Sequence, residues 1–209
     1  MQNMLNSVRR YLSFFEEIGE REDKILETMK KINREYFVPE NLRALAYLDE
    51  VLPIGNEQTI SQPSTVARML QILELKKGED VLEIGTGSGW NVGLIAEIVK
   101  PGKVMGYEII EELYKNAKEN LKKFDFGNLE IKIGDFRDEK RKFDRIIFTA
   151  GIEFEQEDFI EGYAKEHLRN NGILVCPYRK GPLMILKNKD GKIRRDFTQE
   201  EYVFVPLVL

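Results

Sequence analysis

Histidine, cysteine and tryptophan each occur once in the 209 residues. A lone cysteine excludes an internal disulfide and suits a reducing compartment. Cys176 falls in the apolar run Ile173-Leu174-Val175-Cys176 and reads as core packing. His167 stands in Lys165-Glu166-His167-Leu168-Arg169, which has the look of a polar helix end with an exposed imidazole. A Ser-His-Asp or Cys-His mechanism would need that one residue, as would most zinc sites. No apolar run reaches the roughly 18 to 20 residues of a membrane span. The first residues lack the apolar centre of a secretion signal, so the expected location is cytoplasmic, away from membranes. A basic excess is missing too. Lys and Arg number 32 against 36 Asp and Glu, a net charge of −4, which weighs against broad nucleic-acid binding. Chemistry on this chain must therefore rely on a cofactor and on positioned polar groups.

What is present is a glycine turn between an apolar strand and an apolar helix. Val81-Leu82-Glu83-Ile84-Gly85-Thr86-Gly87-Ser88-Gly89 ends a strand in three glycines spaced two apart. A strand entering such a turn ahead of a helix N-terminus presents backbone N–H groups to a ligand. In the dinucleotide fingerprint the third glycine follows the second by three residues, and the turn receives a pyrophosphate. Here the spacing is two, and Glu83 is expected inside the turn. A carboxylate there repels a diphosphate but accepts hydrogen bonds from a cationic amino-acid group. S-adenosyl-L-methionine, with an ammonium, a sulfonium and no phosphate, fits that pattern. The cofactor loop is accordingly assigned to Glu83, Gly85, Thr86, Gly87, Ser88 and Gly89.

Hydrophobic content of 42% and charged content of 33% describe a globular chain long enough for one well-buried α/β unit. Up to about residue 35 the pattern is charged and helical, with Leu5, Val8, Leu12 and Phe15 at spacings of three and four. From Tyr36 to Gln62 the periodicity disappears and prolines punctuate an irregular stretch, the kind of loop that often carries function. A helix is expected from Ser64 to before Gly78. Strands then alternate with helices: Asp80 to Ile84, Trp90 to Val99, Lys103 to Glu108, Glu111 to Phe124, Leu129 to Ile133, Arg145 to Thr149, Gln156 to Arg169 and Gly172 to Pro177. This order predicts a doubly wound, mostly parallel sheet. Asp190-Gly191 between Pro182 to Asn188 and Ile193 to Phe197 signals a hairpin. With a last strand from Tyr202 to Val208, the sheet is expected to finish antiparallel. The reading is a single domain over 1–209, with residues 1–76 a helical and loop segment and 77–209 the cofactor-binding sheet.

Glu108 closes the second strand of that sheet about 20 residues past the glycines, where an acidic group accepts ribose hydroxyls; the alternative is a solvated strand end. Asp135, ending the third strand, could accept from an adenine amino group with Phe136 against the ring, or be an ordinary turn aspartate. Trp90 either shapes the adenosine pocket or packs the helix start. Ser61 or Ser64 could simply cap the helix that follows.

Several motifs together resemble the protein-L-isoaspartate O-methyltransferase family. They are Leu52-Pro53-Ile54-Gly55 followed by Gln58-Thr59-Ile60-Ser61-Gln62-Pro63, then Phe37-Val38-Pro39, Ala46-Tyr47-Leu48-Asp49, Val81 through Gly89, and Phe204-Val205-Pro206-Leu207. The resemblance runs from about Tyr36 to the C-terminus. It implies a Rossmann-like methyltransferase that transfers methyl from S-adenosyl-L-methionine to isoaspartyl residues in damaged peptides or proteins. It also implies that Ser61 is the active-site residue, with Thr59 a second hydroxyl able to hold the acceptor. A monomer is the default. Three positions depart from the family. Glu57 stands where glycine is usual, Phe136 replaces a glycine after Gly-Asp, and after the fourth strand, where the family tends toward Ala-Ala-Pro, Thr149-Ala150-Gly151-Ile152-Glu153-Phe154 leads into an acidic stretch through Asp158. Glu57 and Glu153 are expected to put negative charge where an anionic acceptor would enter. Another acceptor (a small molecule, another protein group or tRNA) or a non-catalytic cofactor-binding module are the competing readings.

Overall fold

The structure is a computed structural model that describes residues 1–15 and 18–208. Two helices, α1 (Gln2–Leu12) and α2 (Glu20–Lys31), open the chain, followed by 3-10 turns at Arg34–Phe37 and Glu40–Leu45. A short hairpin comes next, β1 (Leu52–Gly55) and β2 (Gln58–Ile60), then α3 (Pro63–Leu73). The alternating part comprises β3 (Val81–Ile84), α4 (Trp90–Val99), β4 (Val104–Glu108), α5 (Glu111–Leu121), β5 (Leu129–Ile133), β6 (Phe143–Phe148), α6 (Glu157–His167) and β7 (Leu168–Pro177). The chain closes with β8 (Lys180–Gly181), β9 (Leu183–Lys189), β10 (Lys192–Phe197) and β11 (Tyr202–Val203).

Seven of these strands form one sheet in the order β10-β9-β7-β6-β3-β4-β5. The five from β7 to β5 are parallel, while β9 and β10 run antiparallel at the other edge. Every residue of β3 and β4 is buried, as expected for central strands covered on both faces. Alternation then sorts the side chains. Leu82, Ile84, Met105 and Tyr107 pack with Ile160, Tyr163 and Ala164 of α6 on one face. Val81 and Val104 pack on the other with α3 and α4, over which α1 and α2 add a second layer. The order reverses at β3, whose neighbours are β4 on one side and β6 on the other. Such a switch point leaves a crevice at the carboxyl ends of the strands.

The expected sheet, with its parallel centre and antiparallel end, is the one observed. The Asp190-Gly191 turn is also as expected, with both residues left-handed (φ 53° and 78°) and Lys189 paired to Lys192. The departures are local. The N-terminal pattern is two helices, and Phe15 lies in the turn after α1 under the guanidinium of Arg68, 3.9 Å from its ring centre. That pattern also crosses Glu16 and Glu17, which lie outside the described residues, as does Leu209. Helix α3 stops at Leu73 because Glu74 turns left-handed (φ 53°). The expected last strand pairs only at Tyr202–Val203, with β8. Residues 204 to 207 instead lie against Gly151, whose N–H donates to the Val205 carbonyl (2.7 Å) and whose carbonyl accepts from Leu207 (2.8 Å). His167 is buried, not exposed: it is stacked on Tyr163 one turn earlier (4.2 Å between ring centres), and its Nδ1 lies 3.0 Å from the Arg141 carbonyl. No helix among the described residues is long and apolar enough to cross a membrane.

The stretch from Tyr36 to Gln62, expected to be irregular, contains the β1–β2 hairpin. Its two-residue turn is Asn56-Glu57, with φ of 51° and 58°. Both central residues of this turn type are left-handed, which is why Asn-Gly is the common pair. A side chain in that region costs about 1–2 kcal/mol. Glu57→Gly is therefore expected to stabilise the protein by about 1 kcal/mol, offset in part by unfolded-chain entropy. Thermal melting should show a rise of about 2–4 °C; an unchanged or lower midpoint contradicts this account of the turn.

Candidate functional site

The carboxyl ends of β3, β4, β5 and β6 open into a cleft of about 1020 Å³, mouth included. The glycine turn forms its floor. Gly85, Gly87 and Gly89 all have positive φ (90°, 55° and 92°), so the spacing read from the sequence is the spacing the backbone requires. At Gly85 there is a second reason, since an added Cβ would sit 2.8 Å from Thr149 Oγ1. The Thr149 hydroxyl lies against the carbonyls of Ile84 (3.0 Å) and Gly85. On β4, Gly106 stands opposite Glu83, and a Cβ there would meet Thr86 Oγ1 at 2.6 Å. The Thr86 hydroxyl itself donates to the Tyr107 carbonyl (3.3 Å). Ser88 is buried, and its carbonyl accepts from Asn120 (3.0 Å).

Glu108, the last residue of β4, reaches across to this turn. One carboxylate oxygen accepts from the Gly87 N–H (2.7 Å) and the other from the Ile110 N–H (2.9 Å). Each oxygen keeps acceptor capacity, because an ionised carboxylate offers about four lone-pair sites. Glu108 therefore fixes the turn and still faces the cleft.

Glu83, expected inside the turn, lies instead in β3 ahead of it, where strand alternation turns its side chain to one face of the sheet, and it is the unusual group. It is fully buried on the α4 face of β3, with one oxygen accepting from Asn91 Nδ2 (2.7 Å). Its other oxygen and Asn91 Oδ1 are both buried with no hydrogen-bond partner among the described residues. Both residues line the cleft. Burial pushes the Glu83 carboxyl up to about 8, against the Asn91 hydrogen bond and with the nearby Glu108 charge adding to the rise. With Glu83 in its carboxylate form these two oxygens, on residues already joined by a hydrogen bond, call for a donor, best a cationic one with several N–H groups. An α-ammonium meets that need, whereas a phosphate would add a third acceptor. The donor set thus fits an amino-acid-bearing nucleoside. Asn91, one residue into α4 beyond Trp90, carried no recognisable signal in the sequence.

Asp135 and Phe136 line the cleft beyond β5. The Asp135 carboxylate accepts from the Arg137 N–H (2.9 Å) and its guanidinium, capping the 3-10 turn Phe136–Asp138. Little acceptor capacity is left, so the turn-aspartate alternative describes most of what it does. Phe136 is buried edge-to-face against Phe148 and Tyr163, with ring centres 5.3 and 5.2 Å away. That aromatic cluster accounts for a phenylalanine at this position. Trp90 packs the helix start and also borders the cleft; its Nε1 donates to the Ile32 carbonyl (2.9 Å).

On the opposite wall the chain leaves β2 at Ile60 and passes directly through Ser61. Ile60 points into the core, so its neighbours Thr59 and Ser61 share the other side and are half-buried at the cleft. Neither serine caps α3. The cap comes from 15 residues upstream, where Asp49 Oδ1 accepts from the Ser64 N–H (2.8 Å). The Ser61 hydroxyl has no partner among the described residues. A second cavity opens beside the first, and Thr59, Ser61, Thr149 and Val205 border both. Thr149 at this junction was not singled out from the sequence.

The expected crowding of acid at the entrance does not occur. Glu153 pairs with Arg179 (3.1 Å), Glu157 and Glu161 both pair with Arg195, and Tyr178 donates to Glu157. Neither Glu153 nor Glu57 borders either cavity.

A doubly wound sheet with a glycine turn and an acidic, phosphate-averse cleft at its switch point defines the class of Rossmann-like methyltransferases. The model of the family described as Protein-L-isoaspartate(D-aspartate) O-methyltransferase (PCMT) matches residues 12–209, and the chain belongs to that family. It is 41% identical over 191 residues to the protein-L-isoaspartate O-methyltransferase of Thermosipho melanesiensis, covering 88% of this chain and 93% of the relative. Identity to the Methanothrix thermoacetophila protein of the same name is 36% over 214 residues, covering 99% and 94%. Among solved structures, one titled protein-L-isoaspartate O-methyltransferase superposes with a TM-score of 0.81 at 25% identity, covering 99% of this chain. This chain spans 65% of that one.

With its carboxyl pushed up to about 8, Glu83 is mostly protonated at pH 7 in the free protein. An ammonium ligand favours the carboxylate, so binding at pH 7 should release close to one proton. Affinity should rise about tenfold per pH unit below about 8 and level off above it. Titration of S-adenosyl-L-homocysteine by calorimetry in buffers of different ionisation enthalpy measures this; proton uptake, or no proton change, contradicts the role of Glu83.

Proposed function

We propose that this chain transfers a methyl group from S-adenosyl-L-methionine to the free carboxylate of L-isoaspartyl residues in damaged proteins or peptides. The observation that carries the reading is an uncommitted hydroxyl, Ser61, on the wall shared by the cofactor cleft and the second cavity, in a member of this family. Glu83 and Asn91 take the cofactor's ammonium. The backbone from Gly85 through Thr86, Gly87 and Ser88 to Gly89 lies along its amino-acid and ribose portions, and Glu108 accepts the ribose hydroxyls. Asp135 and Phe136 border the adenine side. When bound, S-adenosyl-L-methionine supplies a sulfonium-linked methyl group open to attack by a carboxylate oxygen.

The residues on the acceptor side have an undemanding task. A carboxylate with a reference pKa near 4 is ionised at neutral pH, so no general base is required. Ser61 and Thr59 donate to that carboxylate and aim one of its oxygens along the line of transfer, and orientation of this kind contributes several kcal/mol to a rate. A buried His167 and a buried Cys176 are consistent with chemistry that uses neither. We take one chain as the working unit, residues 1–76 carrying the acceptor segment and 77–209 the cofactor sheet. Its single buried thiol suits the cytoplasm.

Labelled cofactor with an isoaspartyl peptide and its normal aspartyl counterpart tests the reading. Transfer to the first alone is expected. Ser61→Ala should lower kcat by about 10- to 100-fold, the worth of a hydrogen bond to a charged group, while leaving S-adenosyl-L-homocysteine affinity unchanged. Glu108→Ala should do the reverse. A wild-type protein inert toward the isoaspartyl peptide would overturn the assignment, and label captured by another acceptor in lysate would replace it.

A further inference from the structure

We propose that Arg34 is a positioning residue for methyl transfer, locking the Ser61 segment to the wall of the cofactor cleft. The inference rests on the functional reading above. Arg34 is fully buried, and among the described residues no carboxylate pairs with its guanidinium. It grips main-chain carbonyls instead. One terminal nitrogen donates to Ala46 (2.9 Å) and Leu48 (3.4 Å), the other to Glu50 (2.9 Å), Ser61 (3.0 Å) and Ile60 (3.5 Å). Five carbonyls spread over residues 46 to 61 thus converge on one planar fork. The fork is fixed in turn from the cleft side, because its central carbon lies 5.4 Å from the ring centre of Trp90. Trp90 follows Gly89 directly and is held by its Nε1 bond to the Ile32 carbonyl, two residues before Arg34. A continuous path therefore leads from the glycine turn through Trp90 and Arg34 to the carbonyl of Ser61.

The alternatives within the structure are weaker. Asp49, whose charge acts on Arg34, is committed to the Ser64 N–H and holds the far side of Ser61 through α3. The Ser61 hydroxyl supports nothing, so its placement depends on its backbone. Lysine cannot replace the fork: an ammonium is a compact point charge that cannot span carbonyls on two sides at once. A loosened segment would leave the cofactor cleft intact and misplace the hydroxyl that orients the acceptor, and small misplacements of that kind are costly in rate.

The test compares wild type with Arg34→Lys in full-length protein. The expected result is a fall in kcat of about tenfold or more, as for loss of one charge-assisted hydrogen bond. KM for the isoaspartyl peptide and affinity for S-adenosyl-L-homocysteine should stay within about threefold of wild type. Hydrogen exchange of amides 46–61 should quicken while that of 85–89 stays unchanged. Unchanged kcat with only a lower melting temperature would reduce Arg34 to a structural residue and overturn the proposal. So would equal losses of kcat and cofactor affinity. Exchange in the wild type gives a measurement independent of the variant's folding. Residues 46–50 border neither cavity, and saturating S-adenosyl-L-homocysteine should slow their exchange through Trp90 and Arg34; no change there refutes the path. If the wild type is inert toward the isoaspartyl peptide, the functional reading fails, and the exchange results alone uphold or refute the Arg34 link.

Discussion

A carboxylate in the interior with one oxygen unpaired is an expensive arrangement, and the cleft is built around it. Glu83 stands in a strand whose other residues are all apolar and buried, facing Gly106 rather than a side chain that would fill the space. Replacing it with an apolar residue would improve the sheet and empty the site of its purpose. Buried polar atoms without partners cost stability unless something later satisfies them. Here Asn91, already bonded to Glu83, adds a second buried oxygen without a partner among the described residues. The glycine turn, the Glu108 carboxylate that clamps it and the switch in strand order all meet at that same cleft.

The acceptor side follows a different logic. Its hydroxyls are free because other groups have taken over the structural work. Asp49 caps α3 from a distance, and Arg34 gathers the carbonyls of the preceding loop. The acid around it is neutralised by Arg179 and Arg195 rather than absent. Of the acid counted in the sequence, Glu153 and Glu157 are paired and neither Glu57 nor any residue from 152 to 158 borders either cavity.

Much of this was legible in advance where a local rule operates. The alternation of strand and helix patterns, the Asp190-Gly191 turn and the two-residue glycine spacing each follow from local rules, and together they spelled a mostly parallel sheet with an antiparallel end. The motif around Ser61 was legible through resemblance. The hairpin that carries Ser61 was not, because Glu57 occupies the position where glycine would have spelled Asn-Gly. Asn91 and Arg34 were hidden for another reason: a polar residue in an apolar helix and an arginine in a charged stretch look ordinary until the fold buries them. His167 was misjudged from its charged neighbours. The aromatic partner that buries it, Tyr163, lies four residues back, and the carbonyl beside it belongs to Arg141, far away in sequence.

One consequence lies in the lone tryptophan. Trp90 borders the cofactor cleft on one side and carries the Arg34 guanidinium on the other, and the chain has no second indole to add background. Its emission is thus a built-in optical probe of a single place, the seam where the two halves of the site meet. Spectral shifts or quenching during turnover would come from that seam alone, so the protein can be followed in real time without attaching any dye.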